Sequence, residues 1–336
     1  DGDPLHLLFV GFGKVNQQLA YQALHQAHYT NKTPIRITVF ERDVETAKKE
    51  WRSLANYYDH VTDIHFSKVD LLCDQLSSEK VKLSPPITHV FVSVKDDFLD
   101  LVEGLELTNI ISDVPVFIKM KDEHTVSIWL HEHTEEFKQV KKYVFLREVL
   151  NSEFILKEKQ LALAKTAHTN YQELRKKMNL EPLKDWSQLD NVKQESTRYQ
   201  MLHNDTKLML LGLEKVQMDN GSSPSSSSNE VLTKAEYMAH IEPLLESLAE
   251  VEHIRWNAFH YLRGWKKLEL EDLLADRKKD WKKLKLHECL VSWDELDNVS
   301  EQTGIDFKKY DREAIENLFE YNLAQGHALM RIRGRG

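Results

Sequence analysis

The sequence predicts an α/β fold in which a parallel sheet flanked by helices is followed by a mainly helical region. Three observations carry this prediction. Short β-branched and aromatic runs alternate with helical stretches as far as residue 150. The first of those runs ends in a glycine turn that opens a helix. Beyond residue 150 the pattern changes to helices rich in Leu, Lys and Glu.

Strand signals fall at Leu5 to Val10, Ile35 to Phe40, Ile64 to Val69, His89 to Val94, Val114 to Met120 and Val140 to Leu146. Helical stretches such as Val15 to Tyr29 and Val44 to Tyr58 separate them. Strands alternating with helices predict a parallel sheet with right-handed crossovers over 1–150. The stretch Gly221-Ser-Ser-Pro-Ser-Ser-Ser-Ser228 is polar and of low complexity, so 219–230 reads as a linker or disordered loop. It separates 151–218 from 231–336.

Composition bounds the function. A chain of 336 residues has room for two or three domains, and its 41% hydrophobic content supplies their cores. A charged fraction of 29% and a mean hydropathy of −0.52 place it among soluble proteins. No run approaches the ~18 apolar residues of a membrane span, and no signal peptide is visible. The first strand signal begins four residues past Asp1, a start compatible with a membrane segment upstream. The net charge of −9 argues against a nucleic-acid binder. Two cysteines, Cys73 and Cys289, are too few for a disulfide framework or a thiolate metal site and fit a reducing cytoplasm. The 16 histidines show no metal-binding spacing, so no metal is expected.

In Phe9-Val10-Gly11-Phe12-Gly13-Lys14-Val15-Asn16, the first glycine allows a tight turn and the second lets backbone approach a phosphate. The helix that follows supplies free N–H groups and a partial positive charge. Asn16 stands where the usual fingerprint has a third glycine, a position that governs helix–strand packing. The next strand ends in Glu41-Arg42-Asp43. Glu41 is the expected acceptor for ribose hydroxyls and disfavours a 2′-phosphate, whereas Asp43 is the expected cap of the following helix. A Rossmann-like shell that has lost its ligand is the alternative.

These residues, with Val69-Asp70, Val92-Ser93-Val94-Lys95-Asp96-Asp97 and Pro115-Val116-Phe117-Ile118, resemble the TrkA-N type domain that regulates potassium channels and transporters. The resemblance covers about 5–146. It implies a Rossmann-like domain that binds NAD, ADP, ATP or a related adenine nucleotide, dimerises into gating assemblies and transfers no hydride. It also places Asp70 near the adenine, although Val-Asp-Leu replaces the family's Gly-Asp-Ala. The expected contacts are then Gly11, Phe12, Gly13, Lys14, Val15, Asn16, Glu41, Arg42, Asp70 and Ser93.

The helical part contains an internal repeat. Leu163-Ala164-x-x-x-His168-x-x-Tyr171 recurs as Leu248-Ala249-x-x-x-His253-x-x-Trp256. Trp186-x-x-Leu189-Asp190-Asn191-Val192 recurs as Trp293-x-x-Leu296-Asp297-Asn298-Val299, and Arg198 with Gly212 as Arg312 with Gly326. An insertion separates Trp265 from Trp293 in the second copy. Two copies of one unit suggest a pseudo-twofold pair with a shared core or cleft.

Glu252-His253-x-Arg255-Trp256, Gly264-Trp265, His287-x-x-Leu290-Val291-x-Trp293-x-x-Leu296 and Asp311-Arg312 are similar to the ryanodine-receptor-type repeat, with 151–218 a degenerate relative. Glu288 and Ser292 stand where that repeat has proline. The whole chain resembles bacterial proteins that join a TrkA-N domain to such repeats, some attached to membrane channel segments. His253, Arg255, Trp256, Trp265, Trp293 and Arg312 are candidates for a nucleotide pocket, since aromatic faces stack on bases and Arg pairs with phosphate. Core packing of the tryptophans and a structural salt bridge for Arg312 are the alternatives. Arg255, two positions from His253, is expected on the exposed side of its helix.

The expected function is a cytoplasmic ligand-sensing module, possible also at the cytosolic membrane face within a larger protein. It would bind a nucleotide and act on a homodimer or larger homo-oligomer, or on a membrane-linked partner. No catalytic residues are expected. An NAD-dependent oxidoreductase is the rival, although no Tyr-x-x-x-Lys pair and no His–Asp arrangement is visible. A scaffold without a ligand is the third reading.

Overall fold

The computed structural model describes residues 4–69, 85–120, 126–133, 135–144, 159–181, 183–218 and 231–332. They divide into two compact units, one within 1–27 and 33–157, the other within 28–32 and 158–336.

The first unit is α/β. Its elements run β1 (His6–Val10), α1 (Lys14–Gln26), β2 (Arg36–Glu41), α2 (Val44–Leu54), β3 (Asp63–Lys68), β4 (His89–Val92), α3 (Asp97–Ile110), β5 (Val116–Met120), α4 (Val126–Glu132) and β6 (Val140–Val144). The six strands are all parallel, in the order β3-β2-β1-β4-β5-β6. Strand β1 is central and buried at every position, with Val10 opposite Phe40 on one side and Val92 on the other. A continuous apolar run is what a strand covered on both faces requires.

Leu8, Val10, Val90, Val116 and Ile118 face a core shared with Leu107 of α3. On the opposite face Phe9, Phe91 and Phe117 stack at 5.1 Å intervals. Gly104 brings α3 against β5, where a Cβ would meet the Ile118 side chain. Asp43 caps α2 by accepting from Thr46 N (3.1 Å), and Asp96 caps α3 by accepting from Leu99 N (3.1 Å).

The second unit is mainly helical. It comprises α5 (Lys159–Lys177), α6 (Asn191–Leu202), α7 (Asn204–Leu210), β7 (Leu213–Gln217), α8 (Lys234–Ile241) and α9 (Leu245–Tyr261). Then come β8 (Lys266–Lys267), α10 (Leu270–Ala275), β9 (Leu286–His287), α11 (Glu295–Thr303), α12 (Lys308–Glu316), α13 (Leu318–Leu323) and β10 (His327–Arg331). Among the described residues, no helix is long and apolar enough to cross a membrane.

This unit contains one arrangement twice. His168 on α5 donates through Nε2 to Lys184 O (3.0 Å), and His253 on α9 to Val291 O (2.8 Å). Each carbonyl precedes by two residues a tryptophan, Trp186 or Trp293, whose ring lies 5.8 or 5.9 Å from the histidine ring. One turn beyond each histidine, the amides of Gln172 and Asn257 lie 3.3 and 3.2 Å from the same nitrogen. Helix α5 then packs on α6 and α13, while α9 packs on α12 and α6. Each copy closes at a glycine with positive φ, Gly212 at 66° and Gly326 at 77°. The strands that follow, β7 and β10, pair antiparallel with His327 opposite Gln217. The insertion of the second copy carries α10 and the parallel β8–β9 pair.

Candidate functional site

In the first unit the strand order reverses between β1 and β4, where open parallel sheets leave a crevice at the carboxyl ends of their strands. The glycine turn lies there. Gly11 has φ +75°, donates its N–H to Phe40 O (2.9 Å), and has no room for a Cβ, which would collide with the Ser93 carbonyl. Gly13 is the N-cap of α1, in extended conformation, with nothing within 4 Å of where its Cβ would be. No side chain caps α1, and no acidic residue stands in its first turn. The helix therefore presents backbone N–H groups beside an open glycine.

The remaining turn residues divide into lining and support. Lys14 and Arg42 are exposed and Val15 is half-buried, but the Phe12 side chain is buried against Phe9, Trp51 and Phe66. Phe12 can therefore offer a ligand only backbone, and its N–H donates to Glu41 Oε2 (2.8 Å). The other Glu41 oxygen accepts from Arg42 N (2.8 Å) and Asp43 N (3.2 Å). Glu41 thus ties the end of β2 to the glycine turn.

Asn16 is fully buried and donates to Gly11 O (2.7 Å), while the Tyr143 hydroxyl donates to its Oδ1 (3.3 Å). Its amide fills the space that the third glycine of the fingerprint leaves open, and it links the β1 end to β6.

Ser93 accepts from Lys119 Nζ (2.7 Å), which also lies 3.5 Å from the buried Asp100. Asp100 Oδ1 accepts from Val94 N (2.5 Å) and Lys95 N (3.2 Å). Burial lifts the Asp100 carboxyl despite these donors. Burial, aided by the Asp100 charge, lifts the Tyr143 phenol. Lys119, Asp100 and Tyr143 were absent from the sequence-based set, because they come from three separate elements and share no local motif. Asp70 lies outside the described residues.

In the second unit the aromatic candidates form a chain of rings. His253 lies 6.2 Å from Trp256 and 5.9 Å from Trp293, and His260 lies 3.9 Å from Trp256 and 5.2 Å from Trp265. Trp265 and Trp293 are buried and Trp256 is half-buried. Lys308 Nζ sits 4.9 Å from the Trp293 ring centroid. Burial holds the His287 imidazole, 4.9 Å from Trp256, down at about 3.

Arg312 is engaged by Glu246, with Nε 2.6 Å from Oε1 and Nη2 3.0 Å from Oε2, while Asp311 lies 3.5 Å from His253 instead. Arg255 corrects the expectation of an exposed residue, since only 1% of it is accessible. Helix α9 also packs on α6, and Glu252 receives the guanidinium inside, with the Lys207 ammonium on the same carboxylate. Among the described residues, His287, Glu288 and Cys289 bring one ligand atom each within 4.8 Å of one another. His287 Nδ1 already accepts from Cys289 N (3.1 Å), and burial pushes the Cys289 thiol well up, away from the thiolate that metals prefer.

Compared with protein-family models and with curated proteins, the chain matches none.

Proposed function

We propose that the protein is a nucleotide-sensing regulatory module whose ligand places its phosphate on the glycine turn of the first unit. The uncapped N-terminus of α1 beside the open Gly13, at the reversal point of the sheet, supports this most. Gly11, Phe12, Gly13, Lys14, Val15 and Asn16 would supply or support the phosphate cradle, and Lys14 and Arg42 would flank it as exposed cations. Glu41 would exchange its bond from Phe12 N for one from a ribose hydroxyl. NAD, ADP and ATP are the ligands of choice, since an acidic Glu41 repels a 2′-phosphate. The resemblances carry the proposal further, to an oligomeric and membrane-linked output. Phe98, Ile128 and Trp129, 65, 52 and 37% exposed on α3 and α4, support contact with another chain.

A sensor is favoured over an oxidoreductase by the state of the polar groups at the sheet edge. Ser93, Lys119 and Asp100 are bound to one another, and the Tyr143 phenol is raised, whereas a general acid–base works best near the operating pH.

Isothermal calorimetry with NAD, ADP and ATP tests the proposal on the full chain and on Gly13→Asp, which puts a carboxylate where phosphate would sit. Saturable binding to the wild type that Gly13→Asp loses is the expected result. No binding of any of the three, or equal binding to both proteins, overturns it and leaves the scaffold.

A further inference from the structure

The insertion of the second copy has no counterpart in the first, where His168 meets Trp186 without it. Its root is packed, with Leu268 buried and Leu270 against the core that holds Trp293. From Leu274 to Lys285, by contrast, every side chain is exposed except that of Trp281, which is half-buried. The stretch 276–285 holds six cations and two carboxylates, in a chain whose net charge is −9. Leu274 and Leu284, 39 and 56% exposed, add apolar side chains to it.

The two carboxylates leave most of this charge unmatched. Asp276 Oδ1 accepts from the backbone, Lys278 N and Lys279 N (both 3.2 Å), and Asp280 pairs with Lys283 (3.5 Å). Arg277 donates to Gln302 O (3.3 Å) and Lys285 Nζ to Arg263 O (2.9 Å), both neutral acceptors. Lys279 Nζ lies 3.8 Å from the Trp281 ring centroid. Among the described residues, the Lys278 and Lys282 side chains have neither an ion pair nor a hydrogen bond. The segment is nevertheless held in shape. Trp281 Nε1 donates to Asp276 O (3.0 Å), and the Lys285 carbonyl accepts from Lys266 N (2.9 Å). Like charges are thus fixed close together, and an anionic surface from outside relieves their repulsion.

We infer that this insertion docks on an anionic lipid surface, its cations at the headgroups and Leu284 dipping below them. Clusters of Lys and Arg are drawn to anionic leaflets, and interspersed Leu and Trp add apolar contact beneath the headgroups. A nucleic acid offers phosphates for the cations but no apolar layer for Leu284, so lipid is the better fit. The acidic remainder of the chain opposes contact weakly, since charges are screened beyond about 8 Å at physiological salt. The inference does not depend on the nucleotide site, which belongs to the other unit.

Co-sedimentation of the full chain with vesicles tests this, comparing phosphatidylcholine alone with two parts phosphatidylcholine to one part phosphatidylglycerol. Binding to the anionic vesicles that fades as salt is raised, with none to phosphatidylcholine, is expected. Lys278→Glu with Lys282→Glu weakens it about tenfold or more. Lys176→Glu with Lys177→Glu, the same charge change at exposed positions of α5, shifts it less than about twofold. Leu284→Ser weakens it several-fold without changing the salt dependence. Equal binding to both vesicles, equal losses in the two double variants, or full binding by Leu284→Ser overturns the inference. So does tighter binding of an oligonucleotide, or self-association that Lys278→Glu with Lys282→Glu abolishes, since the patch then serves another occupant. Should the Lys278 and Lys282 variant fail to fold, the wild type's preference for anionic vesicles and its salt dependence decide.

Discussion

Arg255 grips Glu252 through two nitrogens, Nε 3.0 Å from Oε2 and Nη2 2.7 Å from Oε1, at a place where neither residue exceeds 2% exposure. Lys207 adds an ammonium 2.8 Å from the same carboxylate. Burial alone would raise the Glu252 carboxyl, but these two cations hold it down at about 2. One anion therefore stabilises two buried cations, and its loss exposes both to an apolar interior.

Glu252→Gln is accordingly expected to destabilise the second unit by about 3–5 kcal/mol, the usual cost of breaking a buried pair on one side. Glu246→Gln, which breaks the largely exposed pair with Arg312, should cost less than about 1 kcal/mol. Urea unfolding of the two variants measures the contrast, and equal losses would contradict the buried geometry.

Acid should weaken the fold through His287. Burial, with Lys282 and His253 adding to it, lowers its pKa to about 3 against 6.5 for a free imidazole. Between those values the unfolded chain holds a proton that the folded one refuses. The His287 contribution is therefore intact above pH 6.5 and falls as pH drops toward 3, by at most about 1.4 kcal/mol per unit. His287→Asn, which still offers an acceptor to Cys289 N, should remove that part of the slope. Unfolding free energies of both proteins at pH 7.5, 6.0 and 5.0 test this, and parallel curves would refute it.

Gly11 and Gly13 should respond unequally to one methyl group. At Gly11 alanine meets both a positive φ and the Ser93 carbonyl, so a loss of about 1–3 kcal/mol or more is expected in thermal unfolding. At Gly13 the space is open and φ is −69°, so alanine should stay within about 0.5 kcal/mol of wild type. Any effect of Gly13→Ala then belongs to ligand approach.

Asn16→Gly would restore the third glycine of the fingerprint at the expense of the bonds to Gly11 O and Tyr143. Leaving buried groups unsatisfied predicts a loss of about 1–3 kcal/mol in chemical denaturation. A neutral or stabilising result would mean that the amide is not a structural link.

The parallel sheet, the glycine turn and the Asp43 cap were legible in the sequence because each depends on residues close in the chain. The repeat was legible as matched spacings, although the bond from each histidine to a carbonyl beside a tryptophan has no sequence signal of its own. Arg255 was misplaced for a physical reason. A residue two positions from a buried one faces the opposite side of a helix, which is solvent only when the helix is covered once. Helix α9 is covered on both sides, and the hint was the charged pair Glu252 and Arg255 among Leu248, Ala249, Val251, Ala258 and Phe259, all buried. The Ser93–Lys119–Asp100 group was illegible because the sheet order, which no local pattern encodes, brings its members together.

The pairing of β7 with β10 has a kinetic consequence. It joins segments more than a hundred residues apart, and Leu232 N also donates to Leu329 O (2.9 Å), so β10 receives backbone from both sides of the serine-rich stretch. Closing so long a loop comes late, after local helices have formed. During synthesis the first copy must wait, its strand edge unpaired and open to a wrong partner, until residues 327–331 leave the ribosome. A nick within the serine-rich stretch of a finished molecule should, by contrast, leave the two fragments bound to each other.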